Sequence, residues 1–314
     1  MEDVLTYVER QNYDPTHTTS LRNMFSKDMK RRFTELTVVI RKSVDVQDCF
    51  GLRSLQALQM VPTGEAAFAF ARSAEKVEAF MQWLEQQVEN GILELRIFQQ
   101  VGASVEQAWT NMYIYDSYKR GVLRARQELI SAGYDVPPMD ATGGIDIAMA
   151  NPFHMDRVGL LFTRVFNDLQ GITNAMDAQI SRILAQGMAD GDGPALLARK
   201  LISTINGVGA DKLGITDTIG RFIPASRRAM LLARTEIIRA HHLATIQEYR
   251  NWGVLGIMVK GEWKTAGDDR VCSECAALEG RVFTLDEIEP MIPLHPQCRC
   301  IALPYIEDLQ KYKN

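Results

Sequence analysis

The 314-residue chain lacks any run approaching the roughly 18 consecutive apolar residues that a membrane-spanning helix needs. Its opening, MEDVLTYVERQNYDP, has neither the basic n-region nor the apolar h-region of a secretory signal. Charge of one sign is also missing: 35 Lys and Arg stand against 39 Asp and Glu, a formal net charge of -4. That balance excludes a protein that coats nucleic acid by bulk electrostatics. There is no internal repeat and no low-complexity tract. No H-E-x-x-H occurs anywhere, and no H-x-E precedes the cysteines, so the metalloprotease and nucleobase-deaminase patterns are both absent. An HNH-type nuclease would need further His or Asn ligands late in the chain, where only Asn314 remains.

Cysteine is scarce and unevenly placed. Of five, only Cys49 lies outside the stretch from Glu262 to Pro304, which holds Cys272, Cys275, Cys298 and Cys300 together with His295. Cys272-Ser-Glu-Cys275 is a knuckle that brings two sulfurs to one tetrahedral ion, and His295-Pro-Gln-Cys298 repeats the spacing. If Cys298–Cys300 is extended, both side chains face one way and Arg299 the other. Clustered cysteines in a protein made in a reducing cytoplasm more often bind metal than form disulfides. The expectation is therefore a structural zinc held by four of these five candidates. The set is either the four cysteines or one in which His295 replaces Cys298 or Cys300; disulfides and free thiols are the alternatives. A set filled entirely by protein ligands leaves no position for substrate. The module has few apolar residues, so a staple would supply what a small core cannot. Asp268-Asp269 in a Gly-containing turn reads as turn chemistry rather than a cation site.

The 46% apolar and 24% charged content are ordinary for a globular protein, and the length suits two domains or one helical body with an appendage. Residues 1–22 are polar and aperiodic, an arm expected to order against a partner. Residues 23–135 form an N-terminal helical region. Helical periods run over Met24–Val44 and Ala66–Leu95, with Asn90-Gly91 as a stop. A further helix is expected to start at the capping-box pattern Ser104-Val-Glu-Gln107 and end at Gly133. Lys27, Lys30, Arg31 and Arg32 read as a solvated helix face. Residues 136–153, with Pro137, Pro138, Gly143 and Gly144, form a linker. Residues 154–253 are a helical body, expected as a helix to Met188 that Gly171 interrupts, a second from Pro194, and a third over Ser226–Trp252. Residues 254–314 form the Cys/His module, opening with a strand over 254–260. The fold class is thus mainly α: N-terminal helices and a helical body, then a small C-terminal α+β cysteine-rich module, stapled by zinc or disulfide.

The Ser226–Trp252 helix carries a stripe of Met230, Ala233, Ile237, Ala240 and Ala244, small enough to let another helix approach closely. Its second face holds Thr235, Glu236, Arg239 and His242. An acid/base pair of Glu236 and His242 lacks any nucleophile beside it, so this face is expected to be a polar network tying the helix to the strand after it.

In order, the chain presents Arg234-Thr235-Glu236, Trp263, Asp268-Asp269-Arg270, the Cys272/Cys275 pair, Gly280, His295-Pro296 and Cys298-Arg299-Cys300. This series, over roughly residues 155–305, resembles the phage Mu F-like minor head proteins of the head-morphogenesis family. The resemblance implies a non-catalytic virion component of a tailed bacteriophage. Such a protein is made in the bacterial cytoplasm and associates with the portal protein at the portal vertex or capsid interior. It acts in head assembly and DNA packaging or ejection, with contacts to scaffold or major capsid protein, weak contact with DNA, and none with membrane. Residues 1–150 lie outside the family pattern. The alternatives are a metal-dependent, nuclease-like enzyme using His295 with Asp268 or Asp269, and a DNA-binding adaptor.

Overall fold

The computed structural model describes residues 14–53, 75–100, 103–206, 223–253 and 259–305. Most of the expected arm, the start of the helix expected from Ala66, and residues 254–258 of the expected strand lie outside them. The chain is mainly helical, with a small strand-containing region near its end. Helices α1 (Thr19–Arg41), α2 (Glu75–Gly91), α3 (Asn111–Ser131), α4 (Ile145–Met149), α5 (Pro152–Ala189), α6 (Pro194–Asn206) and α7 (Ala225–Gly253) precede the module. A hairpin, β1 (Leu95–Gln100) with β2 (Ala103–Ala108), separates α2 from α3. The described residues divide into two compact units, each assembled from separated stretches of chain.

The first unit comprises residues 14–25, 110–165 and 231–305 of the described chain. Residues 14–22, where polar composition suggested an arm, are tied down. The Asp14 carboxylate accepts from the Thr16 amide and hydroxyl, from Thr19 Oγ1 and from Arg22, while Thr16, Thr18 and Leu21 are buried. One acid collects the donors at the start of α1, and a run without hydrophobic period is ordered by hydrogen bonds. Helices α3 and α7 pack unusually closely. A Cβ on Gly121 would lie 2.3 Å from the His241 carbonyl oxygen and 2.7 Å from Ala244 Cβ, so the small-residue stripe of α7 meets a glycine.

The second unit comprises residues 26–53, 75–100, 103–109, 166–206 and 223–230 of the described chain. Its core includes Phe33, Ile40, Phe50, Phe80, Leu84, Ile180, Leu184 and Leu201. The Arg32 guanidinium lies 4.0 Å over the Trp109 ring, donates to the Gly91 carbonyl at the end of α2, and pairs with Glu94 at 2.7 Å. Arg32 thus caps the helix that Asn90-Gly91 was expected to stop.

Two helix expectations need correction. Ser104–Gln107 is not a capping box. It lies in β2, paired antiparallel with β1 (Ser104 opposite Gln99), and α3 starts only at Asn111. A two-residue signal at the start of a segment loses to a strand partner that backbone hydrogen bonds supply. Gly171 does not interrupt α5, which runs unbroken from Pro152 to Ala189. A single glycine costs a helix only about 1 kcal/mol, which neighbouring turns absorb. Gly133 does terminate its helix, at φ 93°.

The module belongs to the first unit. Strand β3 (Lys260–Lys264) is the centre of a three-stranded antiparallel sheet, between β4 (Val282–Phe283) and β5 (Ile301–Tyr305). Two short helices, α8 (Ser273–Ala276) and α9 (Leu285–Ile288), sit in the connections. Helix α9 begins with a reciprocal capping box: the Glu287 amide donates to Thr284 Oγ1, and the Thr284 amide donates to the Glu287 carboxylate. Trp263, Ile288, Ile292, Cys275, Cys298, Cys300 and Ala302 join Leu129 of α3 and Ile238, Ile246 and Tyr249 of α7 in one buried cluster. The module is a cap on α3 and α7, and its cysteines are part of the core that docks it.

Candidate metal centre

The first pair of sulfurs is positioned by the start of α8. Cys272 is extended (φ -74°, ψ 161°), and its Sγ accepts from the Cys275 amide at 3.4 Å. That turn points both thiols the same way. His295 Nε2 lies 3.3 Å from Cys272 Sγ and 3.3 Å from Cys275 Sγ. The other ring nitrogen, Nδ1, is 2.9 Å from the Pro296 carbonyl oxygen, which can only accept. The Nδ1 proton is therefore committed, and Nε2 presents its lone pair to the sulfurs. Cys298 Sγ completes a further contact, 3.9 Å from Cys275 Sγ.

The donor atoms of Cys272, Cys275 and His295 all lie within 4.8 Å of one another, as do those of Cys275, Cys298 and Cys300. Cys275 belongs to both sets. All five sequence candidates are thus brought to one place, all four cysteines are free thiols, and Cys49 lies outside both sets. A cavity of about 20 Å³ is lined by Cys272, Cys275, His295 and Cys300, with Gln297, Arg270 and Arg299 at its edge. That is room for one ion or one water. Soft donors converging with a fixed histidine tautomer fit a metal ion, and the group could hold one.

The thiols differ in acidity. The turn amide of Cys275, reinforced by His295, lowers Cys272. Hydrogen bonding with Cys300 brings Cys298 down to about 5, while the same contact, with burial, drives Cys300 upward. Burial lifts Cys275 to about 12. Burial opposes charge on His295, but the Pro296 carbonyl and the neighbouring sulfurs raise it overall. A cation at this point would displace protons from the buried thiols, because thiolate and not thiol is the ligand.

Asp268 is not a metal ligand in this arrangement. Arg299 grips its carboxylate with two bonds of 2.6 and 2.5 Å, and Arg270 adds one of 2.7 Å. The hydrogen bonds from Arg299 first, then those from Arg270, hold this carboxyl far below the usual range. The predicted outward face of Cys298–Cys300 therefore has a partner, one that alternation alone did not reveal.

The polar face of α7 is absorbed by docking. The Gln297 amide donates to Thr235 Oγ1 at 3.3 Å, and Arg234 Nη1 donates to Gln297 Oε1 at 3.3 Å. His242 Nε2 donates to the Ile288 carbonyl at 3.1 Å, and burial brings its pKa down to about 4. Glu236, 2% exposed, pairs with Arg239 at 3.1 Å and Arg164 at 3.4 Å. Arg234 and Thr235 thus hold the loop that carries His295 and Cys298.

A second polar cluster went unread in the sequence because its members are far apart in the chain. Glu248 of α7 accepts from Arg126 of α3 at 2.9 and 3.0 Å and from Trp252 at 2.9 Å, and lies 3.4 Å from His154 of α5. These residues bound a cavity of about 190 Å³. Their charges satisfy one another.

Residues 178–303 match the family described as Phage Mu protein F like protein. The match takes in α6, α7 and every member of the Cys/His cluster, and spans less than half of the chain. No curated protein matches the chain. No solved structure matches it. Over residues 178–303, this chain is similar to the Phage Mu protein F like family of phage head morphogenesis proteins.

Proposed function

We propose that the protein is a minor capsid protein of a tailed bacteriophage that acts without catalysis. It would sit at the portal vertex or in the capsid interior, in contact with the portal protein and with scaffold or major capsid protein, during head assembly and DNA packaging or ejection. The observation that carries this reading is the family match ending on the Cys/His module, a module that Thr235 and His242 of α7 hold in place. Residues 23–135, outside the match, would supply the partner-binding surface, and any DNA contact would be weak. No helix among the described residues is long and apolar enough to cross a membrane.

Within this reading the module is a zinc staple. Cys272, Cys275 and His295 supply three ligands, and the fourth is a thiolate from the Cys298–Cys300 pair. A tetrahedral zinc with Zn–S bonds of about 2.3 Å sets its ligands about 3.8 Å apart, and the 3.3 to 3.9 Å separations support that fit. Bound zinc would fix the two knuckles relative to each other. His295 and the thiols would hold it, and Pro296 would keep the histidine in its ligating tautomer. A nuclease-like reading finds less support, since Asp268 is engaged by two arginines.

Two measurements test the proposal. Gradient-purified particles should contain the chain at low copy number, and particles that package DNA without it would overturn the assignment. Metal and thiol analysis of the purified protein should give one zinc per chain with no disulfide. Disulfides in place of metal would remove the staple but leave the head assignment standing.

A further inference from the structure

Two helices expose large apolar side chains along one face, and the charges beside them are opposite in sign. On α1 the exposed positions Met24, Lys27, Arg31, Thr34, Val38 and Arg41 succeed one another at three- and four-residue spacing, which puts them on a single face about 25 Å long. Met24 is 57% exposed and Val38 62%. Lys30 and Lys42 flank this stripe. Arg31 also pairs with Asp28 and Glu35, but such solvent-exposed pairs are worth little and exchange readily.

At the start of α5, Phe153, Asp156 and Leu160 share a face at the same spacing, and the two apolar members are 65% and 71% exposed. Ile147 of α4, 64% exposed, lies just before them in the chain. From residue 127 to residue 156 the sequence holds no lysine or arginine, while Asp135, Asp140, Asp146 and Asp156 are all exposed; Asp146 pairs with Lys119 of α3 at 3.1 Å, a solvent-exposed pair like those of Arg31. The Ile147–Leu160 surface sets apolar side chains among acids, and the α1 face sets Met24 and Val38 among bases.

We propose that these two surfaces bind each other between copies, so that α1 of one copy docks on the Ile147–Leu160 surface of the next. The apolar residues supply burial in such a contact, and the charges among them set orientation and exclude like pairings. Because each copy uses a different surface, the contact is heterologous and adds copies head to tail. Exposure and charge alone support this contact, which stands whether or not the head assignment does.

Sedimentation velocity on the full chain tests it, over a concentration series at low and high salt. Association is expected at low salt and should weaken as salt rises, because the bordering charges are exposed and screened. Asp146→Lys with Asp156→Lys, or separately Lys27→Glu with Arg41→Glu, should each weaken it about tenfold or more. A chain carrying all four substitutions should associate again, because the reversed borders are once more complementary. Circular dichroism checks that these surface variants keep the fold. A chain that stays monomeric at low salt overturns the proposal, even if the acidic surface captures a basic helix from another protein. Oligomers that ignore both reversals overturn it as well.

Discussion

Arg299, lodged between the two late cysteines, grips Asp268 with parallel bonds of 2.6 and 2.5 Å. Asp268 lies in the loop that leads into Cys272, so this pair sets one half of the cysteine cluster against the other. Forked geometry is what arginine provides and lysine does not. Arg299→Lys should therefore keep the charge, lose the fork, and weaken metal binding about tenfold to a hundredfold, the usual range for residues that orient ligands. Competition with a chelator reads this out, and unchanged affinity would show that the ligands are placed without Arg299.

Replacing Cys298 and Cys300 singly with serine should separate the fourth ligand from the spare thiol. One variant should lose the metal along with the module's protection from hydrogen exchange. The other should retain a full equivalent of metal. Cobalt substitution provides the readout, since the intensity of its visible bands reports tetrahedral coordination and the charge-transfer band counts thiolates. Loss of metal in both variants would mean an all-cysteine set, and His295→Ala would then retain the ion.

Gly121→Ala should destabilise the protein by about 1–3 kcal/mol, because the new methyl meets a backbone carbonyl and an Ala Cβ that cannot rotate away. Gly171→Ala, in an open stretch of α5 with nothing near the new methyl, should instead stabilise by about 0.5–1 kcal/mol. Urea unfolding of the two variants checks the contrast. Equal effects would mean that the close approach of α3 and α7 is not maintained in solution.

His241 and His242 are both buried, and burial lowers them to about 3 and about 4. Unfolded, each binds a proton near pH 6.5. Between pH 6.5 and about 4 the unfolded chain holds more protons, so stability is complete above pH 6.5 and falls as the pH drops through that window. Each histidine contributes at most about 1.4 kcal/mol per pH unit. His242→Gln should flatten the slope of urea stability against pH by about one proton. An unchanged slope would place the acid sensitivity elsewhere.

Removing the Thr235 hydroxyl should loosen the same loop more gently. Thr235→Val takes away the acceptor of the Gln297 amide and should cost about 1 kcal/mol. Faster exchange at that amide, without loss of the α7 amides, is the expected signature.

Much of the fold was legible because its signals are local. Helical patterning located α1, α5 and α7, Pro194 the start of α6 and Gly133 the end of α3, and the C-x-x-C and H-x-x-C spacings located the cluster. Elsewhere a short local pattern was overruled. Ser104–Gln107 resembles a helix start, but strand pairing with β1 claims it, and Gly171 looked like an interruption that the long helix tolerates.

By itself, the sequence determined that the late cysteines and His295 belong together, because knuckle spacing confines two sulfurs to within one turn. It also determined that α7 would be approached closely, because alanines repeat along it. Only the tertiary structure decided that Thr235 and His242 hold the loops of the module and that Arg299 pairs with Asp268. It alone joined Glu248 to Arg126 and His154. Each of these contacts links residues separated by about thirty positions or more, and a side chain's partner across such a distance is set by how the helices and sheet pack. No periodicity or spacing encodes it.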